Sequence, residues 1–273
     1  MRQRRIKGLE EKLDIYNGGI QVNPRSLKGK WNNLFDRPAP VYMELGCGKG
    51  QFITQMSEAY PDRNFIAVEG NRSAMLRALQ KAVRHFRGID PSEKSGPQGS
   101  AYTPPLEAEI PRGVFKVDPA DAGVTAGEQF DTPYKTSRDD CLFKASGNLV
   151  FACMYLRNVT DCFEDGELSG IYLNFSDPWP KDRQAARRLT HHRYLEGYRQ
   201  VLKPGSLLEF KTDNEQLFRF SMDEFDDFGL EKTEYTENLH SPDCHYRSKD
   251  FMTEYEKKFS LLGNKIYYCQ VRF

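Results

Sequence analysis

The sequence contains no run of roughly 18 apolar residues, the length a helix needs to cross a bilayer. No apolar h-region follows the early cations Arg2, Arg4, Arg5 and Lys7 either. Neither a membrane span nor a secretory signal is expected. Paired ligand spacings are also missing. Six cysteines, at 47, 141, 153, 162, 244 and 269, form no C-x-x-C, and the five histidines form no H-E-x-x-H. No metal site is expected, and a reducing cytoplasm is the compartment that suits scattered thiols. Net charge is absent too, because 39 Lys plus Arg balance 39 Asp plus Glu. No general field draws the chain to nucleic acid, so any such contact must come from local clusters.

What is present is an α/β rhythm in a chain of 273 residues with 38% hydrophobic content. The pattern reads as one domain over 1–273, with a basic N-terminal extension over 1–40. VYMELGC (41–47) is an apolar strand that runs into glycines, followed by a helix that stops near Pro61. NFIAVEG (64–70) is a second buried strand, and Met75, Leu76, Leu79, Ala82, Val83 and Phe86 share one face of the next helix. Two βα units in tandem imply a parallel sheet. Residues 88–145 are rich in Pro, Gly, Ser and Asp and read as an irregular insertion. Strands resume at 148–156, 169–180 and 206–213. Thr190 is a candidate cap for the helix that ends at the KPG of 203–205, and EKTEYTEN and KIYYCQVRF read as a closing antiparallel pair.

ELGCGKG places Gly46, Gly48 and Gly50 between the first strand and its helix, where missing side chains let the backbone approach a ligand. Glycine turns also serve packing, so this signal alone is weak. Glu69 ends the second strand, 19 residues past Gly50, the place where doubly wound folds put a carboxylate for ribose hydroxyls. Glu44 ends a buried strand and needs a partner, which a cationic aminoacyl ligand would supply. In NFSDPWPKDRQAARRLTHHR, two prolines stiffen a turn around Asp177. The cations Lys181, Arg183, Arg187, Arg188 and Arg193 follow it and offer a phosphate-binding surface, with a solvated charged helix as the plain alternative. Asp213 in KTDN and the acids of TEYE could accept from guanine N1 and N2, which leaves N7 free to face a methyl donor.

ELGCGKG, AVEGNRS, IYLNFSDPWPK, RRLT, FKTDN and TEYEKKFSLLG occur in the order seen in bacterial tRNA (guanine-N7)-methyltransferases, which the chain resembles outside about 88–145. The resemblance implies a class I methyltransferase fold of the Rossmann-like kind. That is a mostly parallel seven-stranded α/β sheet with helices on both faces and a terminal antiparallel pair. It also implies S-adenosylmethionine as cofactor and a guanosine of the tRNA variable loop as target. Carried over by position, Glu44, Gly46, Gly48, Gly50, Glu69 and Asp177 would hold the cofactor, and Asp177 would also be catalytic. Lys181, Asp213, Thr253, Glu254, Tyr255 and Glu256 match substrate positions, and Arg183, Arg187 and Arg188 match RNA contacts. Two departures stand out. Tyr155 occupies a position where the family commonly has Asp or Asn, and KDRQAARRLT carries fewer cations than the usual KKRHEKRRLT.

Two other functions stay open at this level. One is an amino-group RNA methyltransferase, because SDPWP is distantly similar to a D-P-P-[YFW] loop. The other is a tRNA-binding protein without catalysis. The sequence leaves the oligomeric state open.

Overall fold

In the computed structural model, residues 6–17, 24–87 and 141–273 are described. The strands are β1 (Val41–Leu45), β2 (Asn64–Glu69), β3 (Cys141–Ser146), β4 (Leu149–Cys153), β5 (Leu168–Asn174), β6 (Leu202–Thr212), β7 (Glu231–Thr236) and β8 (Tyr267–Arg272). The helices are α1 (Leu9–Asn17), α2 (Gln51–Ala59), α3 (Arg72–Arg87), α4 (His192–Val201), α5 (Glu215–Asp227) and α6 (Glu254–Leu261). The eight strands form one sheet in the order β3-β4-β2-β1-β5-β6-β8-β7.

The central five, β4 to β6 in that order, are parallel. β8 runs antiparallel between β6 and β7, as the closing pair predicts. Among the described residues the sheet has one strand more than the seven expected. The extra one is β3, antiparallel on β4, and it uses residues 141–145 that the composition assigns to the irregular insertion. CLFKAS is short and adjoins a polar tract, and its apolar side chains are buried only because β4 and α3 cover them. Residues 88–140 of the expected insertion lie outside the described residues, as do 1–5 and 18–23 of the expected N-terminal extension.

Strand alternation divides the core in two. Val41, Met43, Ile66 and Val68 face α4 and α5 through Leu195, Tyr198, Leu217 and Phe225. Phe65 and Ala67 face α1, α2 and α3 through Leu13, Phe52, Met75 and Leu79. Helices therefore cover both faces. Part of the N-terminal segment belongs to the core. Trp31 is buried, stacks on Phe163 at 5.1 Å and donates its indole N–H to the Cys162 carbonyl at 2.8 Å.

Two local expectations change. The N-cap of α4 is His191, whose Nδ1 accepts from the Arg193 N–H. Thr190 is buried instead, its hydroxyl 2.7 Å from that of Ser221 on α5. The KPG tripeptide does not separate helix from strand, because β6 begins at Leu202 and passes through it. No described helix is long and apolar enough to cross a membrane.

Candidate active site

Strand order reverses at β1. The chain moves outward through β2 to β4 and then returns to the other side of β1 as β5. Crevices that take ligands in open α/β sheets lie at the carboxyl ends of the strands flanking such a switch point. Here the turn after β1 bends sharply, with the N–H groups of Gly46 and Cys47 both donating to the Val68 carbonyl at 2.8 and 2.9 Å. Gly46, Gly48 and Gly50 have φ of +83°, +56° and +69°. The three differ in surroundings. A Cβ on Gly50 would meet Phe151 at 2.9 Å and Ala78 at 3.0 Å, so this glycine serves packing, whereas a Cβ on Gly46 or Gly48 would enter open space. The first two leave room for a ligand against the backbone.

Glu44 is buried at the end of β1. Its Oε1 accepts from the Asn174 side chain on β5 at 2.8 Å, and its Oε2 has no partner. Burial pushes its pKa up to about 7, against the pull of Asn174 and of the nearby Lys211 charge. A buried acceptor with one free oxygen beside an open turn suits a ligand bearing an ammonium group. Glu69 ends β2, and its two oxygens accept from the N–H groups of Gly48 at 2.9 Å and Asn71 at 2.7 Å. Burial raises its pKa, those backbone donors lower it, and the negative charge of Asp177 adds repulsion. Glu44, Glu69, the glycine turn and Asp177 thus share one end of the sheet.

The loop after β5 holds a strained conformation. Phe175 and Trp179 have φ of +53° and +42°, a region that disfavours large side chains by about 1–2 kcal/mol each. Arg188 secures this loop from inside. Its guanidinium is buried, donates to the carbonyls of Pro178 at 3.1 Å and Trp179 at 3.0 Å, and covers the Phe220 ring at 4.3 Å. This is a different task from the RNA contact that the basic stretch suggests. Asp177 is exposed on the loop, while the Ser176 hydroxyl is buried without a partner. Lys181, Arg183 and Arg187 are exposed, and Arg187 lies 4.9 Å from the Trp179 ring centroid.

The TEYE run divides its labour. Thr253 caps α6 by accepting from the Glu256 N–H at 3.0 Å. Glu254 bridges Lys49 of the glycine turn at 2.9 Å and Lys81 of α3. Glu256 is fully buried. It pairs with Lys211 at 3.3 Å and with His240 at 2.9 Å, and Lys211 also donates to the Ser248 and Phe251 carbonyls. As placed, Glu256 grips the protein's own interior rather than a substrate. Tyr255 turns to the rim. Its hydroxyl donates to Asp213 at 2.8 Å, and its ring lies 5.1 Å from that of Phe175.

Tyr155 is 75% exposed just past β4, and its ring covers the backbone of Gly70, where an added Cβ would sit 2.3 Å from it. The aromatic therefore overhangs the residue that follows Glu69. Sequence reasoning missed Asn174, Lys49 and Lys211. Asn174 alone carried a signal, as a polar residue closing a buried strand. The described residues also bring the liganding atoms of His191, His192 and Glu224 within 4.8 Å of one another. Burial lowers the His191 pKa, the Glu224 charge opposes that shift, and His192, Arg193 and Arg188 add to it.

The family model described as "Putative methyltransferase" matches residues 38–91 and 139–269. A tRNA (guanine-N(7)-)-methyltransferase of Geobacillus sp. (strain WCH70) is 33% identical over 273 residues, which covers all of this chain and 96% of the relative. One from Brevibacillus brevis is 35% identical over 267 residues, 98% of this chain and 96% of the relative. Among solved structures, an antibiotic-related methyltransferase superposes with a TM-score of 0.48 at 12% identity, over 93% of this chain and 95% of that one. That likeness is too distant to assign a substrate, so the assignment rests on the sequence relatives. The matched segments contain the glycine turn, the strained loop and the Asp213–Tyr255 pair, and the chain belongs to the tRNA (guanine-N(7)-)-methyltransferase family.

Proposed function

We propose that this protein transfers the methyl group of S-adenosylmethionine to N7 of a guanosine in the variable loop of tRNA, in the cytoplasm. The observation that carries this reading is the half-satisfied Glu44 carboxylate beside open space at Gly46 and Gly48, in a chain of this family. The cofactor supplies an electrophilic methyl on a sulfonium. Glu44 would accept from its ammonium through Oε2, Glu69 from its ribose hydroxyls, and Gly46 and Gly48 would let the backbone lie against it.

Guanine N7 has an in-plane lone pair, so no base has to remove a proton first, and placing the base is the main task. Asp213 and Asp177 are accessible carboxylates suited to the N1 and N2 donors of guanine. The Phe175 and Tyr255 rings offer a surface on which an unstacked base can rest. Positive charge develops on the purine as the methyl arrives, and Asp177 would stabilise it. The exposed Lys181, Arg183 and Arg187 would meet phosphates.

The test is incubation with labelled S-adenosylmethionine and unmodified tRNA transcripts, with the product mapped by cleavage chemistry specific for N7-methylguanosine. Label at a variable-loop guanosine is the expected result. Label on an exocyclic nitrogen would replace this reading with amino-group methylation, and tRNA binding without transfer would replace it with a non-catalytic role.

A further inference from the structure

A cavity of about 340 Å³ opens between α4 and residues 157–160. Arg157, Asn158 and Thr160 line one wall, and Arg193, Tyr194 and Gln200 line the other. The cavity follows α4 from Arg193, near where the chain arrives from the strained loop after β5, to Gln200 in the last turn, whose carbonyl accepts from the Gly166 N–H ahead of β5.

The cavity is shaped by the backbone. Gly197 lets α4 approach the 159–161 turn closely, since a Cβ there would meet Val159 Cγ2 at 3.1 Å and Asn158 Oδ1 at 3.4 Å. That Asn158 oxygen also accepts from the Thr160 N–H at 3.3 Å and holds the turn in place. Its charge points to one kind of ligand. Neither Arg157 nor Arg193 is ion-paired with any described carboxylate, although Glu196 lines the same cavity. On the outer side, Lys28 donates to the Thr160 carbonyl at 2.9 Å and adds a further cation. Two guanidinium groups without a carboxylate partner, Arg193 with its Cζ 5.6 Å from the Tyr194 ring centroid, outnumber the single Glu196 carboxylate and, with the Asn, Thr and Gln side chains, match the oxygens of a phosphate diester.

We propose that this cavity binds a backbone phosphate of the RNA substrate, with Arg157 and Arg193 as its two cationic ligands. It extends the contact beyond the exposed cations at 181, 183 and 187. The inference rests on the RNA-methyltransferase reading above.

The experiment measures binding of unmodified tRNA by the full chain at several salt concentrations, for the parent protein and for Arg157→Gln, Arg193→Gln and the double variant. Each single variant is expected to weaken binding several-fold and to lower the slope of log K against log salt by about one, with the effects adding in the double variant. Cofactor affinity by calorimetry and the thermal midpoint are expected to stay at parent values, which excludes a folding defect. Unchanged affinity and slope in the double variant would overturn the proposal. So would calorimetric binding of inorganic phosphate to the cavity without any change in the tRNA slope, which would mark a small-anion site instead. A parent protein that fails to bind tRNA at all would overturn the parent reading and this one together. Arginine variants that fail alone would leave the parent reading intact.

Discussion

Asn174 donates to Oε1 of Glu44 across the two central strands at 2.8 Å, and Oε2 of that carboxylate is left buried without a partner. Burial holds the Glu44 pKa up at about 7, above its unfolded value. A raised carboxylate pKa costs stability progressively as pH climbs from about 4.5 to 7, on the order of 3 kcal/mol once the group is ionised in the fold. A bound ammonium would favour the ionised form, so cofactor binding should release a proton near neutrality. The expected result is an S-adenosylmethionine affinity that rises between pH 6 and about 7.5. It should then level off or fall as the cofactor's own amino group, with a pKa of about 8, deprotonates. Glu44→Gln should bind the cofactor about 10–100-fold more weakly, lose this pH dependence, and be more stable than the parent at pH 8 without cofactor. A pH-independent affinity in the parent protein would contradict the assignment of Oε2 to an ammonium.

Asp177 sits on the crest of a loop whose Phe175 and Trp179 both have positive φ. Holding a carboxylate on a strained, internally tethered turn fixes where its charge falls, which is what electrostatic stabilisation of a transition state needs. Asp177→Ala should keep cofactor affinity within about tenfold and lower the single-turnover rate by roughly 10²–10³-fold. Near-normal single-turnover rates would remove Asp177 from the chemistry.

The glycine turn, Glu69 and Asp177 were legible in the sequence because a strand, a turn and a helix in order force them to one sheet end. Which carboxylate faces which partner was not legible. Asn174 meets Glu44 only because β5 pairs with β1, 130 residues earlier in the chain. Glu256 stands in the polar run TEYE and reads as a substrate-facing acid, yet it is buried because Lys211, pointing inward from β6, needs a counter-charge. Arg188 reads as one cation among several, and its carbonyl partners in the adjacent loop depend on the turn at 178–179. Residues 141–145 read as insertion because a strand of six residues, Cys141–Ser146, beside a polar tract carries too little periodicity to announce itself.

The Lys211–Glu256 pair anchors α6 and the segment before it to the carboxyl end of β6. Burial lowers the Lys211 pKa, and Glu256 opposes that shift. Glu256→Gln would leave a cation buried without its counter-ion, and removing one partner of such a pair costs about 3–5 kcal/mol. A clear fall in the thermal midpoint is expected. Tyr255→Phe, next in sequence but on the rim, should leave the midpoint within error and raise KM for tRNA. If Glu256→Gln instead kept parent stability and lost only tRNA binding, the carboxylate would belong to the substrate after all.

Arg188 and Arg183 lie five residues apart and should fail in different ways. Arg183 is exposed, so Arg183→Ala should weaken tRNA binding, lower the salt slope by about one and leave the thermal midpoint unchanged. Arg188→Ala removes two charge-assisted hydrogen bonds from half-buried loop carbonyls, a loss of about 2–4 kcal/mol, and releases the loop that carries Asp177. It should lower both the midpoint and kcat at saturating tRNA, with little change in the salt slope. Arg188→Lys separates the two roles. Lysine keeps the charge and loses the planar fork that reaches both Pro178 and Trp179. If Arg188 tethers the loop, the lysine variant should remain nearly as slow as the alanine one; if it met a phosphate, lysine should restore most of the tRNA affinity and most of the rate.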